Sequence, residues 1–117
     1  MSNKIEDNDE ISLAEVFDSF YLQDDSRGLR EKTLHSLLQT GEFKIVGDFK
    51  GKSIYDFMKT SNARYAMWAV TIVAIEHYGV HIEVPDLESI SEAKERKVIQ
   101  KVNDAVTKYR QRIEFKR

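Results

Sequence analysis

Eleven consecutive residues, Tyr65 to Ile75, carry no charge (Tyr-Ala-Met-Trp-Ala-Val-Thr-Ile-Val-Ala-Ile). Wound into a helix, this run is apolar on nearly every side and has no face to offer to water. A membrane span needs about 20 such residues, so the run reads as a core helix that the rest of the chain must wrap. Ser61-Asn62 stands where a cap belongs and Gly79 where the helix should stop, which predicts a helix over 63–78. With 117 residues the chain supports one such core. It contains no Cys, which excludes a disulfide framework, a thiolate metal site and a Cys nucleophile.

The flanking segments supply the wrap. Residues 1–10 are polar and acidic and read as a flexible acidic arm, leaving 11–117 as a single domain. Ser12 can cap a helix over 12–23, in which Leu13, Val16, Phe17, Phe20 and Tyr21 follow i, i+3, i+4, i+7, i+8 spacing. Asp24-Asp25-Ser26-Arg27-Gly28 breaks it. A second helix over 29–40 presents Leu29, Leu34, Leu37 and Leu38, and Gly41 follows as its terminal cap. Phe43-Lys44-Ile45-Val46 and Val80-His81-Ile82-Glu83-Val84 read as two short strands, and Ser53 opens a short helix with Ile54, Phe57 and Met58 on one side. Asp86 caps a last helix over 87–114, with Val98, Val102, Ala105, Tyr109 and Ile113 in one stripe. At 1.5 Å per residue it would reach about 40 Å, long enough to kink or project, and the stripe also suits pairing with a second copy. The expected class is therefore α+β, predominantly helical, with about five helices and a two-stranded element around 43–46 and 80–84.

The net charge of −2 conceals a gradient. Residues 1–25 hold eight acids against Lys4, whereas residues 93–117 hold nine bases against Glu95, Asp104 and Glu114. A basic last helix is the footprint of a phosphate contact, or it complements a helix C-terminus with the acidic end packed nearby. Candidate binding residues are Lys97, Lys101, Lys108, Arg110 and Arg112 on that helix. Lys44, Lys50 and Lys52 around the Gly47–Gly51 turn, and Arg64, join them.

Chemistry-bearing constellations are sparse. His77 and His81 have the four-residue spacing of two metal ligands, but Gly79 between them breaks the shared helix face. Acid pairs such as Asp24/Asp25 and Asp86/Glu88 sit at caps and turns rather than converging as a nuclease centre requires. Gly47 to Ser53 ends in Gly-Lys-Ser, yet only three residues separate Gly47 from Gly51, where a nucleotide-binding phosphate loop has four. No catalytic residue, metal ligand or cofactor is expected. A metal-dependent nuclease is the remaining enzymatic alternative.

The same segment carries a family likeness. Phe43-x-x-x-Gly47-x-Phe49-Lys50-Gly51-Lys52-Ser53-Ile54-x-Asp56, followed by Tyr65-x-x-Trp68, resembles a small module that reads "FGKYKGKSxxDI…YLxW". That module occurs C-terminal to exonuclease X-type DNA-processing enzymes and as short standalone phage proteins. The likeness covers about residues 43–70, with Val46 where the family usually has Phe and Asp48 where it has Lys. It implies a β-hairpin around the glycines, a short helix, and a Tyr-x-x-Trp helix over them. Its implied setting is a cytoplasmic, phage-encoded accessory protein that binds nucleic acid or a nucleoprotein complex, with a protein-binding modulator of a host enzyme as the alternative. No membrane partner is expected.

Overall fold

A computed structural model of the chain describes residues 8–60 and 65–116. Among them are five α-helices, α1 (Leu13–Asp18), α2 (Leu29–Gln39), α3 (Ile54–Thr60), α4 (Tyr65–His77) and α5 (Ala93–Arg112). Two short strands, β1 (Phe20–Leu22) and β2 (Ile113–Phe115), form the sheet, and 3-10 turns occupy Val46–Phe49 and Leu87–Ser89. The predominantly helical α+β class is as the sequence predicts. The first seven residues of the expected arm, the expected Ser61-Asn62 cap and Arg64 lie outside the described residues.

The uncharged helix is the centre of the molecule. In α4, seven consecutive residues from Ala69 to Ile75 are buried, so no side of the helix faces water over two turns. Helix α5 packs along it more extensively than any other element, and α2 and α1 close further sides. Gly79 ends the helix region in the left-handed conformation (φ 93°), which favours a residue without Cβ. No helix of the described residues is long and apolar enough to cross a membrane.

The first helix is shorter than its spacing suggests. Ser12 caps α1 by accepting from the Glu15 N–H (3.2 Å), and Leu13, Val16 and Phe17 are buried as expected. The helix stops at Asp18, and Phe20-Tyr21-Leu22 becomes β1. The reason lies at the other end of the chain. Ile113-Glu114-Phe115 alternates apolar and polar, and pairs antiparallel with β1 in the register Phe20–Phe115, Tyr21–Glu114, Leu22–Ile113. Strand geometry sends Phe20 and Leu22 inward and leaves Tyr21 59% exposed, whereas a continued helix would have placed Phe20 and Tyr21 on one face. The Phe20 ring then meets Phe115 at 5.6 Å.

Side chains finish what this early stop leaves open. The Arg30 guanidinium on α2 donates to the carbonyls of Phe17 and Phe20 at the α1–β1 junction, where a helix end has unpaired acceptors. Asp25 accepts from the N–H groups of Leu29 and Arg30, capping α2. On α2 itself Leu37 is buried, Leu29 and Leu34 are half-buried, and Leu38 is exposed, contrary to expectation.

Neither predicted strand forms the sheet. Between Phe43 and Phe49 the chain makes a tight 3-10 turn instead of a hairpin, and the Asp48 carboxylate accepts from the backbone N–H groups of Lys44 (2.8 Å) and Ile45 (3.1 Å). Those are the donors a strand partner would have used. The turn lets both aromatic rings be buried face to face, with centroids 4.5 Å apart, and Phe57 meets each of them edge-on. Ile45 retains one isolated antiparallel bridge, to Ser12, and residues 80–84 retain one parallel bridge, Ser53 to Glu83.

The last helix is also shorter than 87–114. Residues 87–89 form a separate turn, Ile90 is buried in an extended conformation, and α5 spans 20 residues, about 30 Å. It lies against the body rather than projecting. Ile99, Val102 and Val106 are its buried positions, with Ala105 and Tyr109 packed at the margin, so the expected stripe is rotated slightly and spent within the chain. Replacing one ring of the aromatic trio tests the packing directly. Phe49→Ala should destabilise the fold by about 3–5 kcal/mol, read by urea unfolding.

Candidate functional site

Geometry sorts the cations of α5 into two groups. At about 100° per residue, Lys94, Lys97, Lys101, Lys108 and Arg112 fall within an arc of about 60°, apart from the buried face of Ile99, Val102 and Val106. They form a ridge about 27 Å long. All four lysines are exposed, and Arg112 is partly so. Lys101 Nζ stands 5.2 Å from the centre of the Tyr65 ring and Lys108 Nζ 5.3 Å from that of Tyr109, so two of the cations lie over aromatic faces. Asp104 borders the ridge and accepts from Gln100 (2.9 Å).

Arg110 belongs to the other flank. Its Nη2 contacts both carboxylate oxygens of Glu76 on α4, at 2.9 and 3.1 Å, so its charge is used within the fold. Of the five α5 residues singled out in the sequence, the structure therefore brings together Lys97, Lys101, Lys108 and Arg112, and sets Arg110 apart. Lys94 was missed, although its spacing to Lys97 and Lys101 is legible in the sequence.

The lysines around the tight turn make a weaker group. Lys50 Nζ is ion-paired with Asp9, whose backbone carbonyl also accepts from the Gly47 N–H (2.9 Å). Asn8 in turn donates to the Tyr78 carbonyl at 3.3 Å. Residues 8 and 9 are thus docked on the fold, and Asp9 neutralises one candidate cation. Gly47 leaves room for this contact, since a Cβ there would come within 3.2 Å of Asp9. Lys44 is exposed and Lys52 half-buried.

A groove opens where the ridge ends. It encloses about 570 Å³ between the 22–29 segment, the first turn of α4 and the last turns of α5. Arg27, Lys32, Lys108 and Arg112 line it with Asp24, Asp25, Tyr109 and Met67. Asp24 faces Arg112 at 3.8 Å. Arg27 and Lys32 had no signal in the sequence, because only the tertiary fold brings them to α5.

Comparison with protein-family models, curated proteins and solved structures finds no match to the chain. Among the described residues no three His, Cys, Asp or Glu side chains are grouped to hold a metal ion. The His77 ring is instead stacked on Phe115 at 3.6 Å.

Glu95, an acid in the first turn of α5, is held by the Tyr55 hydroxyl of α3. This hydrogen bond, followed by desolvation and the carboxylate's charge, raises the Tyr55 pKa above the ordinary phenol value. A folded-state pKa above the unfolded one means that the stabilisation is complete below about pH 10 and is lost as pH rises through the higher value. Ultraviolet titration should show one tyrosine ionising above the ordinary range, and Glu95→Gln should bring it down.

Proposed function

We propose that this chain is a small, non-catalytic, phage-encoded accessory protein of the host cytoplasm that binds nucleic acid or a nucleoprotein complex. The observation that carries the reading is the α5 ridge, five cations in one arc on a chain whose net charge is −2. A surplus placed along one helix edge is what a phosphate backbone recognises, and exposed lysines confer affinity without fixing sequence. Tyr65 and Tyr109 beneath two of the lysines add aromatic surface beside the charge. The likeness of residues 43–70 to a module that accompanies DNA-processing exonucleases suggests the same setting and is the basis for the phage origin.

The protein-binding alternative draws on less. Among the described residues only Tyr21 and Leu38 are large exposed apolar side chains, and Lys116 Nζ lies 4.8 Å from the Tyr21 ring centre. Isolated exposed apolar residues are ordinary on a monomer surface.

Fluorescence anisotropy with labelled oligonucleotides at about 50 and 200 mM salt tests the reading, since counterion release weakens binding steeply over that range. Lys97→Glu/Lys101→Glu should lower affinity at least about tenfold and reduce the salt slope by about two. Lys50→Gln should weaken binding by less than about threefold, because its charge is engaged by Asp9. Binding that ignores both salt and the ridge substitutions would overturn the proposal.

A further inference from the structure

The ridge does not simply stop at the C-terminal end of α5. Its last two members, Lys108 and Arg112, also line the groove, where Arg27 and Lys32 meet them from the α2 side. Two segments distant in sequence, 27–32 and 108–112, thus converge their cations on one recess. Its volume of about 570 Å³ lies within the range of about 300–1,000 Å³ found for small-ligand sites. Its lining is also mixed in the way a nucleotide requires, with Met67 and half-buried Tyr109 supplying apolar and aromatic surface below the charges.

Asp24 indicates what occupies the cationic rim. Its side chain is 83% exposed, and its carboxylate sits 3.8 Å from the Arg112 guanidinium. Its backbone has φ 57°, the one positive value among the described non-glycine residues. Such a conformation is tolerated by Asp but is uncommon, and uncommon backbone geometry concentrates at ligand sites. An exposed pair at this distance is weak. Asp24 therefore holds an anion's place on Arg112 without binding it firmly.

Building on the nucleic-acid reading above, we propose that this groove takes one nucleotide of a single-stranded nucleic acid. The phosphate replaces the Asp24 carboxylate at Arg112 within reach of Arg27 and Lys32, and the base lies on Met67 and displaces Lys108 Nζ from the Tyr109 ring. A strand tracked along the α5 ridge delivers its next nucleotide here. A base held in a duplex stack cannot enter such a recess, whereas an unstacked base can. The groove thus makes the protein prefer single strands, and Asp24 restrains that preference.

The test compares anisotropy titrations of the full chain with a labelled oligothymidylate of about 12 nucleotides and a duplex of equal length at about 50 mM salt. The single strand should bind at least about fivefold more tightly. Thymidine 5′-monophosphate at millimolar concentration should reduce that preference. Arg27→Gln/Lys32→Gln should bring the ratio of the two affinities close to one. Asp24→Asn, which keeps a side chain suited to the left-handed backbone, should raise the ratio severalfold. Thermal melts followed by Trp68 fluorescence establish that the variants are folded, and either variant alone suffices for the comparison. Salt-sensitive binding with equal affinities for both probes, or a ratio unmoved by the groove substitutions, would overturn the groove and leave the ridge standing. No binding of either probe would overturn the ridge and the groove with it.

Discussion

Burial of α4 on all sides sets the terms for the rest of the chain. Seven successive buried residues leave the helix no polar face, so its neighbours must be amphipathic and must come from both ends of the sequence. Helix α5 meets that need with Ile99, Val102 and Val106, and in doing so fixes which of its other positions face water. The basic ridge is a consequence of this docking. Once the apolar edge is committed to α4, positions 94, 97, 101, 108 and 112 must run together along the exposed flank. Core packing and surface charge are thus two sides of one helix orientation.

Acidic side chains carry a second layer of structure that composition alone misrepresents. Asp25 and Asp48 accept backbone N–H groups that regular structure leaves without partners, and Asp9 joins the 47–50 turn through its backbone and its carboxylate. The Asp48 carboxylate supplies the acceptor that allows the chain to turn early and stack Phe43 on Phe49.

Local patterns were legible where one interaction decided the outcome. The uncharged run, the Ser12 cap, the start of α2 and the Gly79 stop all follow from neighbouring residues, and all appear as expected. Phe20-Tyr21-Leu22 did not, because its spacing suits a helix and a strand alike, and its partner lies more than 90 residues away at Ile113–Phe115. The same limit applies to the candidate site. Lys97, Lys101, Lys108 and Arg112 could be read from helical spacing, but the loss of Arg110 to Glu76 and of Lys50 to Asp9 depends on contacts between distant elements. Arg27 and Lys32 join the groove for the same non-local reason.

The β1–β2 pair brings the two ends of the charge gradient together only in part. By tying residues 20–22 to 113–115 it brings Asp24 to Arg112, as simple charge complementarity would have it. Yet the compensation is incomplete. Asp24 reaches Arg112 only at 3.8 Å and in exposed surroundings, Asp25 is committed to the α2 cap, and Lys94, Lys97 and Lys101 lie up to about 27 Å along α5 from that junction. Screening at physiological salt acts over about 8 Å, so acids at the strand pair cannot offset cations two or more turns away. A chain with a slight net negative charge can therefore hold a locally positive edge, because the acids at the strand pair lie beyond screening reach of Lys94, Lys97 and Lys101.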